Sequence, residues 1–334
     1  VGLGALPFTG LTQAQVNAFG IATGPFQQNR RIAHENRDKY VNPTAYQASL
    51  SVQQEFFKDW SVEFGYIFYR GNFINRPTEG NYRESGTCAL ASSTCAFGPQ
   101  YVRINPAITQ EIVHNSSGNS TYHGGTLSLT KRFANNFQMQ ANYTYSRAMD
   151  DVFDFSSGTI EPFPSRGDLE WARSGFDIRH NFVASGIISS PWKDAFTKDM
   201  TLSPIVLIRS GIPFNLYTGA NNGDSNTTDR PFYASRNSGN GPNYFNVNMR
   251  LNKKILFKSD SPNGLRLELF GEATNILNKT NFLSVNDFIG TTHPLIATGN
   301  FNVSGDPTLP KTSPLGFTNA HPPRQFQFGF KFGF

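Results

Sequence analysis

The most constraining feature of this sequence is a strict alternation of phenylalanine with other residues at its end. The segment RQFQFGFKFGF, residues 324–334, has an aromatic ring at every second position: Phe326, Phe328, Phe330, Phe332 and Phe334. Successive side chains of a β-strand point to opposite faces, so the five rings share one face. The segment therefore predicts a strand with a continuous apolar face, whose partner is either a protein core or lipid.

The same period of two recurs along the chain. In FQMQANYTYS, residues 137–146, apolar and polar side chains alternate without a break, and two tight turns are expected near 57–59 and 134–136. About nine strands are predicted, near residues 44–56, 60–68, 126–133, 137–146, 176–190, 200–212, 243–257, 264–275 and 324–334. Their lengths suit tilted strands that cross a bilayer, which need about 9–11 residues.

Composition separates a membrane barrel from the other classes. The hydrophobic fraction is 38%, the charged fraction is 16% and the mean hydropathy is −0.40. No run of 18 apolar residues occurs, which excludes a transmembrane helix. Alternating polar residues, together with 31 Phe and 30 Gly, favour an all-β, antiparallel transmembrane barrel with a wet lumen and an apolar outer face.

The connections between the predicted strands alternate between short and long. Those near 57–59, 134–136, 191–199 and 258–263 are short, whereas those near 72–120, 147–175, 213–242 and 276–323 are long and rich in Gly, Asn and Ser. Outer-membrane barrels have short periplasmic turns and long extracellular loops, so the C-terminus is expected in the periplasm. The odd strand count predicts that 1–40 end an extracellular loop and that 41–334 form the C-terminal part of a larger barrel.

Five segments in order resemble one known family. They are FDIRHNFVASGI (176–187), RSGIPFNLYTG (209–219), NYFNVNMRLNKKI (243–255), LELFGEATNILNKTNF (267–282) and the terminal PRQFQFGFKFGF. The set is similar to the C-terminal barrel of TonB-dependent outer-membrane receptors, and most similar to the Oar-like group, which carries a carboxypeptidase-regulatory-like domain.

The resemblance implies a 22-stranded barrel, an N-terminal plug, and uptake of a scarce large solute driven by the TonB complex. It also implies that the terminal aromatic alternation, ending at Phe334, is the signal that the barrel-assembly machinery reads. The plug and the TonB box of that family have no counterpart in these 334 residues and are expected upstream.

Two cysteines lie close together in the first long loop. Cys88 and Cys95, in CALASSTC, form an even pair in an exported protein, which predicts a local disulfide. A redox or metal pair is the alternative, and it is disfavoured because no His lies beside them.

Two acidic clusters are candidate catalytic or cation-binding sites. Asp150, Asp151 and Asp154 could be an acid–base pair or a cation site, but their place in a long loop favours solvated charges. The segment NNGDSNTTDRP offers four oxygen ligands at near-alternate spacing, a weak calcium candidate that lacks the closing Glu of an EF-hand: Asn222, Asp224, Asn226 and Asp229. No other metal site is expected.

The remaining polar residues fit an interface better than a reaction centre. No catalytic triad, phosphate loop or zinc spacing is present in the sequence, so no enzyme activity and no cofactor are expected. The net charge is +5, but the basic residues are dispersed, which favours contact with anionic lipid over nucleic acid. Trp60 and Trp192 are expected in an aromatic girdle beside short turns, and His180 near the membrane boundary.

Three functions remain open at this stage. The first is energised transport by a receptor whose ligand is held by long loops and lumen residues. The second is a surface barrel, an adhesin or a porin, that binds or passes solutes without energy input. The third, and weakest, is a soluble carbohydrate-binding module, which detergent dependence of the purified protein would exclude.

Overall fold

A computed structural model describes residues 32–36, 41–88, 98–106, 110–152, 166–219, 221–224, 229–231, 234–257 and 265–333. Nearly all regular structure is β. The strands are β1 (Ile32–Asn36), β2 (Thr44–Phe57), β3 (Trp60–Glu79), β4 (Tyr82–Cys88), β5 (Gly98–Arg103), β6 (Gln110–Ala134), β7 (Phe137–Asp150), β8 (Ala172–Arg173), β9 (His180–Ser189), β10 (Met200–Arg209), β11 (Pro213–Phe214), β12 (Gly239–Asn240), β13 (Tyr244–Leu256), β14 (Arg266–Thr274), β15 (Phe282–Val285), β16 (Phe317–Ala320) and β17 (Gln325–Gly333).

Helical structure is limited to short pieces. The single turn α1 (Pro294–Thr298) begins after His293, whose ring accepts a hydrogen bond from the Leu295 amide, and a 3-10 turn spans Gly167–Glu170. Within the described ranges, no helix has the length and apolar character that a membrane crossing requires.

Nine long strands form one antiparallel sheet. Their order, β17-β14-β13-β10-β9-β7-β6-β3-β2, follows the chain, so each strand pairs with the next long strand along the sequence. The nine strands predicted from alternation are confirmed, and so is the alternation of short and long connections between them. The architecture is a section of an up-and-down barrel wall.

The two faces of the sheet differ in chemistry because the strands pair in register. One cross-strand row on the outward face is apolar throughout: Val52, Phe64, Leu127, Tyr143, Phe182, Ile208 and Phe245. The adjacent row on the opposite face is mostly polar: Gln53, Glu63, Ser128, Asn142, Val183, Leu207 and Asn246. A register fixed by nine strands thus produces one face for lipid and one for water.

Tight turns set this register at the short-turn end. β6 and β7 are joined by Asn135 and Asn136, which both have positive φ values, 55° and 62°. Two central residues with positive φ are the requirement of a type I′ hairpin, and Asn tolerates that region well. The turn between β2 and β3 likewise places Asp59 at φ 69°.

The first long connection is shorter than predicted. The sequence placed a loop over 72–120, but β3 continues to Glu79 and β6 already begins at Gln110, with the β4–β5 hairpin between them. Cross-strand pairs such as Arg76 with Asn115 extend the ladder, and β1 pairs in parallel with the start of β6. Polar composition predicts a loop here, whereas pairing with neighbouring strands holds these residues in β-structure.

Two compact hydrophobic clusters lie in the long connections. Leu216, Ala234, Ile289 and Phe301 are buried together, and they come from the connections after β10 and after β14. Tyr82 and Tyr101 form a second buried pair on the β4–β5 hairpin. The long connections therefore fold on one another at one end of the sheet.

Candidate functional site

We call the four long connections, residues 80–109, 151–179, 210–243 and 275–324, the loop cap. Its central contact is an ion pair between Arg230 and Glu170, whose side chains are both fully buried. Two guanidinium nitrogens of Arg230 donate to the two carboxylate oxygens of Glu170, at 2.7 and 3.0 Å. This two-point pairing fixes the connection after β10 against the 3-10 turn after β7.

A second buried arginine extends the same junction. Arg236 donates to the backbone oxygens of Glu170 and Val152, at 3.2 and 3.1 Å, and forms an ion pair with Asp150. Burial, together with the nearby charge of Arg76, lowers the pKa of Arg236 to about 10. The network shows that the loop cap is positioned by polar contacts that are largely removed from water.

The prediction of solvated charges at the first acidic cluster is wrong for two of its three residues. Asp151 is buried, lies 3.8 Å from Arg76 and accepts a hydrogen bond from the Asn119 amide at 2.6 Å. Asp150 is paired with Arg236 as described above. Arg76 from β3 and Arg236 from the connection after β10 cover these carboxylates, contacts that local sequence does not encode. Asp154 lies outside the described residues.

A pocket of about 580 Å³ lies among the connections after β7, β10 and β14. Its wall includes Arg173, Arg179 and Lys279, together with Asn243, Phe282 and Phe317. The two phenylalanine rings pack with centroids 4.3 Å apart.

Hydrogen bonds fix the two pocket arginines. Arg173 donates to the oxygens of Asn237 and Gly239 at 2.7 and 3.0 Å, and Arg179 is paired with Asp177 at 2.9 Å. The pocket therefore offers a polar, net basic wall and an aromatic patch, which suits reversible binding of a polar solute.

The structure describes three of the four residues of the second acidic cluster. Asn222, Asp224 and Asp229 are all buried in the connection after β10, and the Asn222 amide donates to Asp229 Oδ2 at 3.1 Å. Burial and the charge of Asp224 raise the pKa of Asp229 to about 8. Asn226 lies outside the described residues.

Calcium at this loop stays a prediction. Across the described ranges, no three His, Cys, Asp or Glu side chains gather as a metal cluster. Calcium also takes amide and backbone oxygens, so its binding here needs a direct measurement.

The terminal aromatic residues lie as the alternation predicts. Phe326, Phe328, Phe330 and Phe332 share the outward face of β17, and the most exposed, Phe328, keeps 80% of its surface accessible. Phe334 lies outside the described residues. Their role as an assembly signal stays a prediction, since geometry alone does not test it.

The disulfide also stays a prediction. Cys88 is the last residue of β4, opposite Gly98 in the hairpin. Cys95 lies outside the described residues, in the connection that follows Cys88.

The membrane-boundary residues lie near the ends of the outward face. Trp60 begins β3 directly after the turn from β2, and Trp192 lies exposed in the short connection between β9 and β10. His180 begins β9 at the other end, where its Nδ1 lies 2.7 Å from the hydroxyl of Tyr143. Both tryptophans are thus at the short-turn end and His180 is at the loop-cap end.

Comparison with known proteins establishes the family. A family model for an outer membrane beta barrel domain matches residues 4–235, more than half of the chain. This chain belongs to that family. The predicted fold class is confirmed, and the protein is an outer-membrane barrel protein.

One solved structure supports the fold. The outer membrane transporter YddB from Escherichia coli superposes with a TM-score of 0.52 at 8% identity, over 91% of this chain and 34% of the transporter. The ferripyoverdine receptor of the Pseudomonas aeruginosa outer membrane gives a TM-score of 0.42 at 13% identity, over 86% of this chain and 27% of the receptor. The chain thus spans about a third of the length of the first. No curated protein matches it.

Proposed function

We propose that this chain is the C-terminal part of the barrel of a TonB-dependent outer-membrane receptor, which imports a scarce large solute. The observation that carries the proposal is the nine-strand sheet with one apolar and one polar face, at one end of which the buried pair Arg230–Glu170 joins two long connections. An apolar outer face suits lipid and a polar inner face suits a water-filled lumen. The loop cap supplies the contacts for the solute.

The pocket between the long connections is the proposed point of first contact. Its basic wall and its paired rings, Phe282 and Phe317, suit a large polar ligand with hydrogen-bonding groups. The chemistry is binding and release, with no covalent step and no cofactor. In the proposed orientation the loop cap is extracellular and β17 ends at the periplasmic side.

The proposed partners follow from that role. The TonB complex would act through a part of the protein outside this chain, and the barrel-assembly machinery through the terminal strand. Membership of the Oar-like group also stays a proposal. No contact with nucleic acid is proposed, because the basic residues are spread over both ends of the sheet.

Energised uptake is tested by comparing three strains: wild type, a deletion of this gene, and a deletion of the TonB complex. Depletion of solutes from a defined growth medium is followed by mass spectrometry. Active transport predicts that one large solute persists in the medium of both deletion strains. Depletion that needs this gene but not TonB would contradict energised transport and support a passive porin.

Solute contact is tested by a variant of the pocket wall. Arg179→Ala removes one of the basic groups that line the pocket, and we expect reduced uptake at low solute concentration. Arg132→Ala, at the turn between β6 and β7, is the control because it lies at the opposite end of the sheet. Equal loss of uptake in both variants would argue against a role for the pocket.

A further inference from the structure

The outward face of the sheet changes from apolar to basic at its loop-cap end. We define the outer basic rim as the four basic residues at this boundary: Arg70, His123, Arg147 and His180. They come from β3, β6, β7 and the start of β9, which are consecutive in the sheet. The residues therefore lie side by side along one edge of the apolar band.

Register shows that the rim residues are neighbours. Arg147 lies directly opposite His123, and His180 lies opposite Tyr145. Arg70, Arg147 and His180 are exposed on this face.

The height of the rim matches a membrane boundary. Arg70 is ten residues from Trp60 along β3, and Arg147 is ten residues from Phe137 along β7. Ten residues of strand measure about 33 Å, or about 25 Å along the membrane normal at a tilt near 40°. The lipid-facing band of outer-membrane barrels is about 25 Å tall, so the rim lies at headgroup level.

Two tyrosine–histidine pairs connect the rim histidines to tyrosines of the apolar band below. Tyr66 Oη lies 2.8 Å from His123 Nδ1, and Tyr143 Oη lies 2.7 Å from His180 Nδ1. In both pairs the tyrosine is six residues after the first residue of its strand, and the histidine is on the next strand of the sheet. Amphipathic rings of this kind sit where hydrocarbon meets headgroups, so the two pairs mark the same boundary.

Basic residues at the short-turn end of the sheet have partners within the protein. Lys131 Nζ donates to the oxygens of Ala134 and Phe137 at 2.9 and 3.0 Å, and Lys253 Nζ donates to the Ala195 oxygen at 3.1 Å. Arg132 pairs with Glu55 at 2.6 Å. These two lysines therefore donate hydrogen bonds to backbone carbonyl oxygens near the turns, and the arginine pairs with a carboxylate of the protein itself.

At the outer basic rim two arginines lack such compensation. Among the described residues, Arg70 and Arg147 take part in no ion pair, and Arg70 only donates to the Asn72 side chain at 3.0 Å. Between the two boundaries, the outward face of β2, β3, β6, β7 and β9 carries no Asp or Glu. The rim is therefore a positively charged edge above an apolar wall.

We propose that the outer basic rim binds the phosphate groups of lipid headgroups in the leaflet beside the loop cap. The phosphate oxygens would accept hydrogen bonds from Arg70 and Arg147, while the acyl chains lie on the apolar band below. A lipid satisfies both parts of this surface at once, which a soluble anion does not. The partner is thus a phosphorylated lipid, held at a fixed position on the barrel wall.

The test measures lipid that stays with the complete protein after purification from the outer membrane in mild detergent. Bound phosphorylated lipid per protein is counted by mass spectrometry for wild type, for Arg70→Gln with Arg147→Gln, and for Arg70→Lys with Arg147→Lys. Arg132→Gln is the control at the opposite rim. Heat-modifiable migration on gels selects preparations in which the barrel is folded.

Retention should fall by at least about tenfold in the double Gln variant, because surface cations each strengthen contact with anionic lipid. The double Lys variant and the Arg132→Gln control should stay close to wild type. Unchanged retention in the double Gln variant, or an equal loss in the control, would overturn the proposal. Complete displacement of the lipid by excess inorganic phosphate would also overturn it, because the surface would then select a free anion.

Discussion

At the scale of single residues, the stability of the loop cap is expected to depend on the pair Arg230–Glu170. Both side chains are fully buried, so removing one leaves an uncompensated charge away from water. Arg230→Met or Glu170→Leu alone should destabilise the loop cap by about 3–5 kcal/mol. Hydrogen exchange of the amides in 210–243 measures this loss of protection.

Two further variants separate charge pairing from packing. Arg230→Met combined with Glu170→Leu replaces the pair by apolar groups and should recover much of the protection, since such replacements are often near neutral. Asp168→Asn breaks the more exposed pair with Arg166 in the same connection and should have little effect. A double variant as unprotected as the single variants would mean that the pair is needed for its geometry.

The buried carboxyl of Asp229 predicts a pH dependence of the same loop. Burial and the charge of Asp224 raise its pKa from 3.8 to about 8 in the folded protein. The unfolded loop therefore loses the proton first as pH rises, so stability falls between about pH 4 and pH 8 and levels off above. Protease resistance of residues 218–231 should be higher at pH 5 than at pH 8.

Asp229→Asn is the matched control, because an amide does not titrate. This variant should show a much weaker dependence on pH over the same range. If it keeps the full dependence, another group is responsible.

Calcium addition at pH 8 tests the weak site prediction at Asn222, Asp224 and Asp229. Bound calcium would neutralise the two carboxylates and raise the protease resistance of the loop. No gain in resistance would refute the calcium site.

At the scale of elements, β17 should need its apolar face for membrane insertion. Phe328 and Phe330 expose 80% and 75% of their surfaces, so lipid is the partner that removes them from water. Replacing both by Ser should lower the amount of folded barrel in the outer membrane, since burial of each ring is worth about 1.5–3 kcal/mol. Heat-modifiable migration after membrane fractionation measures the folded fraction.

The opposite face of β17 provides the comparison. Gln327→Ser with Lys331→Ser changes the same number of side chains on the lumen face and should leave insertion close to wild type. A similar loss in both double variants would show that the strand tolerates no change, whatever the face. Insertion unaffected by the Phe replacements would count against both the lipid face and the assembly signal.

The alternation of apolar and polar side chains predicts the nine long strands correctly. A strand between lipid and a water-filled lumen needs an apolar side chain on one face and a polar one on the other, in turn along the chain. β7 illustrates this, since Phe137, Met139, Ala141, Tyr143 and Tyr145 all share the outward face. Alternation does not predict the parts of β3 and β6 that extend beyond the membrane-facing band. Neighbouring residues at the ends of β3 and β6, Asn75 with Arg76 and Ile112 with Val113, are all buried. Both faces are covered by protein there, so the sequence does not follow the alternation that lipid and water impose.

The loop cap was the least predictable part. Glu170 and Arg230 are 60 residues apart, in connections whose relative position depends on the sheet order. Neither residue carries a local signal, because a buried ion pair and a solvated charge have the same residue types. The sequence likewise reveals the acidic residues Asp150 and Asp151 but not their arginine partners, Arg236 and Arg76.

At the scale of the whole molecule, the described sheet is open. β2 pairs only with β3 and β17 only with β14 among the described residues, so each edge presents unpaired backbone groups. Unpaired groups in hydrocarbon cost several kcal/mol each, which is why spanning sheets close into barrels. More strands are expected to complete the wall in the full-length protein.

We therefore expect that residues 41–334, expressed alone and refolded in detergent, will not give a monomeric, heat-modifiable barrel. The full-length protein, treated in the same way, is the comparison and should do so. Hydrogen exchange gives the sharper measurement, because the amides on the open sides of β2 and β17 should exchange fast in the fragment and slowly in the complete barrel. A monodisperse fragment with slow exchange at both edges would mean that β2 pairs with β17, and the protein would then form a small closed barrel of nine strands.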